Sequence, residues 1–239
     1  MKLNFCHQVL RLLFQLIRDF FCDKSIQMFE LDYNEHWIRR GEHIIRPRFR
    51  IFANIIEKNS KVLDIGCGDG TNLKYLIDTK KIRGYGIDIS QRAISIARRK
   101  GVKAYIRDVS KREFRLKDTF DYIIISELLE HIPNPENLIL TIANNFTKNL
   151  LISIPNVGYI KHRLRLCIGG RFPIQWRYCP AEHLRYWTIN NFRSWCNQLG
   201  FEVKNVIASN GVPFLKKVAP NIFGDQVIFV LKNIQDKEI

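Results

Sequence analysis

Two kinds of chemically useful residue meet in the stretch 61–70, Lys-Val-Leu-Asp-Ile-Gly-Cys-Gly-Asp-Gly: carboxylates and closely spaced glycines. Gly66, Gly68 and Gly70 follow a short apolar run. Such a run passes from strand to loop to helix, and bare main-chain N–H groups then face whatever binds there. The spacing is not that of a dinucleotide loop, because Thr71 stands where the third glycine would be. Asp64 at the strand tip and Asp69 in the loop would repel a pyrophosphate and suit a ligand carrying positive charge. A second run, 83–89, ends in Asp88 and Ile89. A carboxylate there grips ribose hydroxyls or, alternatively, caps the helix that follows. A ribose, no pyrophosphate and a cation beside the glycines together describe S-adenosylmethionine (SAM). The same features argue against a nicotinamide dinucleotide.

Residues 62–70, 85–88 and 107–109 resemble the first three cofactor motifs of class I SAM-dependent methyltransferases, and the resemblance covers roughly residues 45–232. It implies an α/β fold: a Rossmann-like seven-stranded sheet, mostly parallel with the last strand antiparallel, and helices on both faces. It also implies a cofactor site built from Asp64, Gly66, Gly68, Gly70, Asp88, Ile89, Asp108, Val109 and Ser126. Asp108 would accept from the adenine amino group and the Val109 backbone would meet the ring.

In that family, donor and acceptor meet just after strand 4, here Ser-Glu-Leu-Leu-Glu-His-Ile-Pro-Asn-Pro-Glu over 126–136. Methyl transfer from a sulfonium is an in-line displacement, so alignment is the main task and a base is needed only if the acceptor must lose a proton. Glu127, Glu130 and His131 are candidates for positioning or proton removal, with His183 a further one. The Asn/Asp-Pro-Pro-aromatic motif of nucleic-acid amino-methyltransferases is absent, which argues against a nucleobase amine.

Ser-Ile-Pro-Asn-Val-Gly-Tyr (153–159), Glu-His-Leu-Arg-Tyr-Trp-Thr (182–188) and Gly-Asp-Gln-Val-Ile-Phe-Val-Leu (224–231) are similar to the methionine-biosynthesis MetW family. That likeness implies a protein partner, a homoserine acyltransferase, and an accessory role. Glu-Leu-Leu-Glu-His-Ile-Pro (127–133) departs from it and looks like the type-11 methyltransferases of quinone and lipid pathways. The departure favours a working methyltransferase with a small-molecule, lipid-linked or anionic acceptor.

The elements that must position these residues alternate, strand then helix, as a parallel sheet requires. Strands are expected at 61–65, 83–89, 102–107, 120–125, 150–154, 201–207 and 226–231. Pro47 opens a helix, Ser90 caps one ending at Gly101, Asn134-Pro135 starts another, and Thr188 caps one ending at Gly200. Residues 31–43 fall where the family closes over its cofactor. The stretch 155–187 is long for a plain connection. Its interleaved Arg, His and aromatic residues read as a substrate-facing insertion or as a solvated basic helix over 160–168.

The chain has 239 residues and a formal net charge of +15, which favours anionic partners or simply a solvated basic surface. Its 6 cysteines form no C-x-x-C pair and no His cluster joins them, so neither a metal site nor a disulfide framework is indicated. A reduced, cytoplasmic setting follows. Residues 3–21 form a wide apolar helical face interrupted by Arg11, Arg18 and Asp19, which opposes a spanning helix. Domain 1–24 is therefore an amphipathic helix that packs on protein or lies peripherally in a membrane surface. Residues 25–239 form the methyltransferase domain.

Overall fold

The computed structural model describes residues 32–39, 44–172 and 182–234. The amphipathic helix expected over 3–21 and the middle of the 155–187 segment lie outside the described residues. In chain order the elements are α1 (Tyr33–Arg39), α2 (Pro47–Ile55), β1 (Lys61–Ile65), α3 (Thr71–Lys80), β2 (Arg83–Asp88), α4 (Gln91–Arg99), β3 (Lys103–Ile106) and β4 (Phe120–Ser126). A single 3₁₀ turn, Leu129–His131, follows. Then come α5 (Pro135–Ile142), β5 (Phe146–Pro155), α6 (Ile160–Gly169), α7 (Ile189–Gln198), β6 (Phe201–Gly211), α8 (Leu215–Val218), α9 (Pro220–Phe223) and β7 (Gly224–Asn233).

The seven strands form one sheet in the order β3-β2-β1-β4-β5-β7-β6. β7 runs antiparallel to both of its neighbours, and every other pairing is parallel. The expected class I architecture is thus present. Side chains alternate across each strand, so the sheet serves two cores. Val62, Tyr122, Ile124 and Leu151 face α2, α3 and α4, meeting Phe52, Leu73 and Ile94. Leu63, Ile65, Ile123, Ile125 and Ile152 face α5 and α7, meeting Leu138, Ile139 and Phe192. Burial on both faces explains why β4 reads as an almost unbroken apolar run.

Helix ends follow local chemistry. Ser90 Oγ accepts from the Ala93 N–H, Thr188 Oγ1 accepts from the Asn191 N–H, and Gly170 ends α6 in the left-handed conformation. β5, β6 and β7 are longer than expected. β6 keeps pairing through irregularities at Val203/Asn205, Ala208/Asn210 and Asn210/Gly211, so its polar Ser209 and Asn210 do not end the strand. β2 and β3 stop short of the expected ends, at Asp88 and Ile106, because the chain turns there into the loops that border the site. Among the described residues no helix is long and apolar enough to cross a membrane.

Candidate active site

The C-terminal ends of β1, β2 and β4 open onto one cavity of about 860 Å³. Every site residue expected from sequence borders it except Gly70. Gly70 instead forms the N-cap of α3 at φ 74°, and a Cβ there would crowd Ala97 of α4. Glycine at this position lets the two helices approach.

The glycine loop is tied down by β2: the Gly66 and Cys67 N–H groups donate to the Ile87 carbonyl at 2.8 and 3.0 Å. Gly68 has φ 55°, and a Cβ on it would collide with the indole of Trp37. α1, which carries Trp37, lies over the loop. Asn34 Oδ1 of α1 accepts from Ser90 Oγ (2.9 Å) and the Arg92 N–H (3.2 Å).

The acidic residues of this half have different fates. Asp88 accepts from the Gly68 N–H (2.9 Å) and the Ser90 N–H (2.8 Å), which fixes its carboxylate at the cavity wall with acceptor capacity left over. Asp69 also borders the cavity, but its charge is already matched within the protein. Its carboxylate is ion-paired with Lys100 and bonded by the Thr71 hydroxyl. Asp64 is only 2% exposed. Its Oδ2 accepts from Asn72 Nδ2 at 2.9 Å, and its Oδ1 has no hydrogen-bond partner. Burial pushes its carboxyl from 3.8 up to about 7, with Asn72 and Arg48 opposing the rise. A buried carboxylate oxygen beside a cavity and without a donor is costly unless a ligand supplies one. The positively charged amino-acid end of SAM fits that need. Asp108 forms a turn in which Oδ1 accepts from Ser110 N (3.0 Å) and Ser110 Oγ (2.6 Å), leaving Oδ2 for a ligand.

The other half of the cavity follows β4. Ser126 Oγ is buried without a partner. Glu127 turns the chain at φ 53°, a strained region for a non-glycine residue. It is held by Ser153, whose hydroxyl donates to Oε1, and by Gln226 Nε2 at 2.8 Å from Oε2. Glu130 is 1% exposed, and burial together with the nearby Glu127 raises its pKa well above the usual carboxylate range. Its backbone carbonyl accepts from the Leu184 and Arg185 N–H groups at 2.7 and 3.2 Å, which docks the 182–185 segment on the 3₁₀ turn. His131 Nδ1 meets the Glu182 carbonyl, which can only accept, so Nδ1 is the donor of that bond. The His131 and His183 rings meet edge to face at 4.8 Å. Glu130, His131 and His183 each offer a donor atom within 4.8 Å of the others, a juxtaposition that sequence spacing did not suggest.

The wall opposite includes Tyr159, Lys161, His162 and Arg165, with His162 Nε2 3.8 Å from Asp225. Sequence reasoning missed Arg48, Asn72 and Gln226. Arg48 and Gln226 each left a signal: a charged residue on the buried stripe of α2, and a polar one opening the apolar run of β7.

Fold and site together define the class I SAM-dependent methyltransferase architecture. The chain superposes on a SAM-dependent methyltransferase from Archaeoglobus fulgidus with a TM-score of 0.60 at 18% identity, covering 78% of this chain and 91% of that one. A TehB-like SAM-dependent methyltransferase from Corynebacterium glutamicum gives 0.58 at 16% identity over 84% and 98%. Among curated sequences, the ubiquinone biosynthesis O-methyltransferase of Glaesserella parasuis is 24% identical over 214 residues, 81% of this chain and 89% of that one. Residues 46–231 match the family described as Methionine biosynthesis protein MetW, and the chain belongs to that family.

Proposed function

We propose that this chain is an enzyme that moves a methyl group from SAM to an oxygen of a small-molecule or lipid-linked acceptor with anionic character. One observation carries the reading. The unpartnered Oδ1 of Asp64 and the fixed carboxylate of Asp88 share an unbroken cavity with the Glu130–His131–His183 cluster. SAM supplies an electrophilic methyl group already activated by its sulfonium charge. Asp64 and Asn72 hold the cationic end, Asp88 takes the ribose, and Asp108 with Val109 receives the adenine. Arg48, Lys161 and Arg165 offer positive charge to the acceptor. His131, on the cavity wall beside Glu130, takes the acceptor proton, and burial favours the neutral form of Glu130. Oxygen as the accepting atom draws support from the O-methyltransferase relatives.

The test is incubation of cell extracts with the protein and isotopically labelled SAM, read by mass spectrometry. A labelled product containing a new methyl ether or ester is expected. A folded protein that binds no SAM in calorimetry would refute the reading.

The family match itself favours a second reading: an accessory protein docked on a homoserine acyltransferase, with the SAM pocket as a sensor. Replacing Glu127, Glu130 and His131 separates the two. Loss of function in the cell supports catalysis, whereas tolerance there with sensitivity on the 155–187 surface supports the accessory role.

A further inference from the structure

β6 and β7 are not joined by a tight turn. β6 ends at Gly211, residues 212–223 leave the sheet, and β7 begins at Gly224. The neck is closed by the Val212 N–H donating to the Phe223 carbonyl at 2.9 Å. Gly211 stands at φ 130° because any Cβ there would strike that same carbonyl.

At the tip, Phe214 has φ 62° and ψ −54°. The Leu215 N–H donates back to the Pro213 carbonyl at 2.7 Å. This is a γ-turn of the strained kind. The fold maintains it to present an aromatic ring to solvent: Phe214 is 81% exposed, Val218 84% and Leu215 45%. Lys216 and Lys217 stand between them. Lys216 bonds the Ser209 carbonyl at 3.0 Å, and Lys217 is exposed.

The base of the prong adjoins the cavity. Asp225 and Gln226, which follow it directly, border the site. Asn156 Nδ2 ties its base down by bonds to the carbonyls of Asn221 (3.2 Å) and Gly224 (2.7 Å).

We propose that the 212–223 prong docks the cavity mouth on an anionic lipid surface. Phe214, Leu215 and Val218 enter the headgroup–acyl boundary and the two lysines meet lipid phosphates. Charge selects this occupant. A second copy would bring Lys216 and Lys217 against their own kind on a chain of net charge +15, whereas an anionic bilayer is complementary to both the lysines and the whole molecule. The inference deepens the methyltransferase reading, on which it rests for its purpose: a lipid-linked acceptor reaches the cavity from the bilayer without crossing water.

The full chain is mixed with vesicles of phosphatidylcholine alone, or of equal parts phosphatidylcholine and phosphatidylglycerol, and amide hydrogen exchange is followed. Amides of 215–219 are expected to slow at least tenfold with the anionic vesicles only. Phe214→Ser/Val218→Ser should weaken vesicle partitioning at least tenfold, and Lys217→Gln by about fivefold. Calorimetric SAM binding should stay unchanged in both, showing that the variants fold. Three results would overturn the proposal: no partitioning at all, partitioning without slowing at 215–219, or slowing that tracks protein concentration without lipid, which assigns the patch to a second copy. None of these readouts needs turnover, so failure of methyl transfer and failure of docking are separate outcomes.

Discussion

Binding of SAM should release a proton from Asp64. Burial lifts that carboxyl from 3.8 to about 7, so about half of the ligand-free molecules hold it neutral at pH 7. A cationic ligand binds the ionised form. Affinity is therefore expected to fall about fivefold from pH 7 to pH 6 and to approach tenfold for each further pH unit. Calorimetry in two buffers of different ionisation enthalpy reads the proton directly: about half released per SAM at pH 7, and about 0.9 at pH 6.

The same residue sets a stability expectation of defined sign. Its folded pKa lies above the unfolded one, so the favourable contribution is fully present below about pH 4 and is lost as pH rises through 7. The total is about 4 kcal/mol. Asp64→Asn should thus raise the unfolding free energy of the ligand-free protein at pH 8 by up to about 4 kcal/mol while weakening SAM binding and flattening its pH dependence. Native affinity that is flat between pH 7 and pH 5.5, with no proton released, would refute the argument.

Lys100→Met removes the ion-pair lysine from the Asp69 carboxylate, whose side chain is only 6% exposed. It should cost about 2 kcal/mol in urea unfolding, because Lys100 itself is partly solvated, and Asp69→Asn in the same chain should restore most of that. His131→Gln is expected to lower kcat about a hundredfold with the SAM dissociation constant unchanged, since it removes a base and no proposed cofactor contact. Gln226→Leu deprives Glu127 of its 2.8 Å bond and Arg48 of its 3.5 Å contact. Steady-state kinetics should show a raised KM for the acceptor and an unaltered KM for SAM.

The sheet was legible because the hydrophobic pattern and the turn chemistry agree. Val62-Leu63 and Ile123–Ile125 are apolar on both faces, and Ser90 and Thr188 begin helices where the sequence places them. Strand ends were less legible. β6 continues through polar positions because its pairing with β7, a long-range property, outweighs local composition. The two carboxylates flanking the first glycines show a sharper limit. Asp64 and Asp69 look equivalent in sequence, yet Asp69 is neutralised by a lysine from the end of α4 while Asp64 keeps one oxygen unpartnered.

That contrast has a physical origin in sequence separation. The bonds that shape the cofactor half span short distances along the chain: 8 residues from Asn72 to Asp64, 20 from Gly68 to Asp88, 31 from Lys100 to Asp69. They lie within two successive βαβ turns, so a motif of fixed spacing encodes them. The acceptor half is assembled differently. His131 meets Glu182 across 51 residues, Gln226 meets Glu127 across 99, and Arg48 meets Gln226 across 178. No local pattern specifies such pairs, and the two at Gln226 depend on β7 inserting antiparallel between β5 and β6 in one register. A one-residue slip of β7 would turn Gln226 to the opposite face and release Glu127 and Arg48 together. The cofactor loop would be untouched, because β7 does not contact β1 or β2 in the sheet. An architecture divided in this way can change its acceptor while conserving its methyl donor. That division accounts for a chain whose first half reads clearly as a SAM site while the proposed acceptor side draws on residues scattered from 48 to 226.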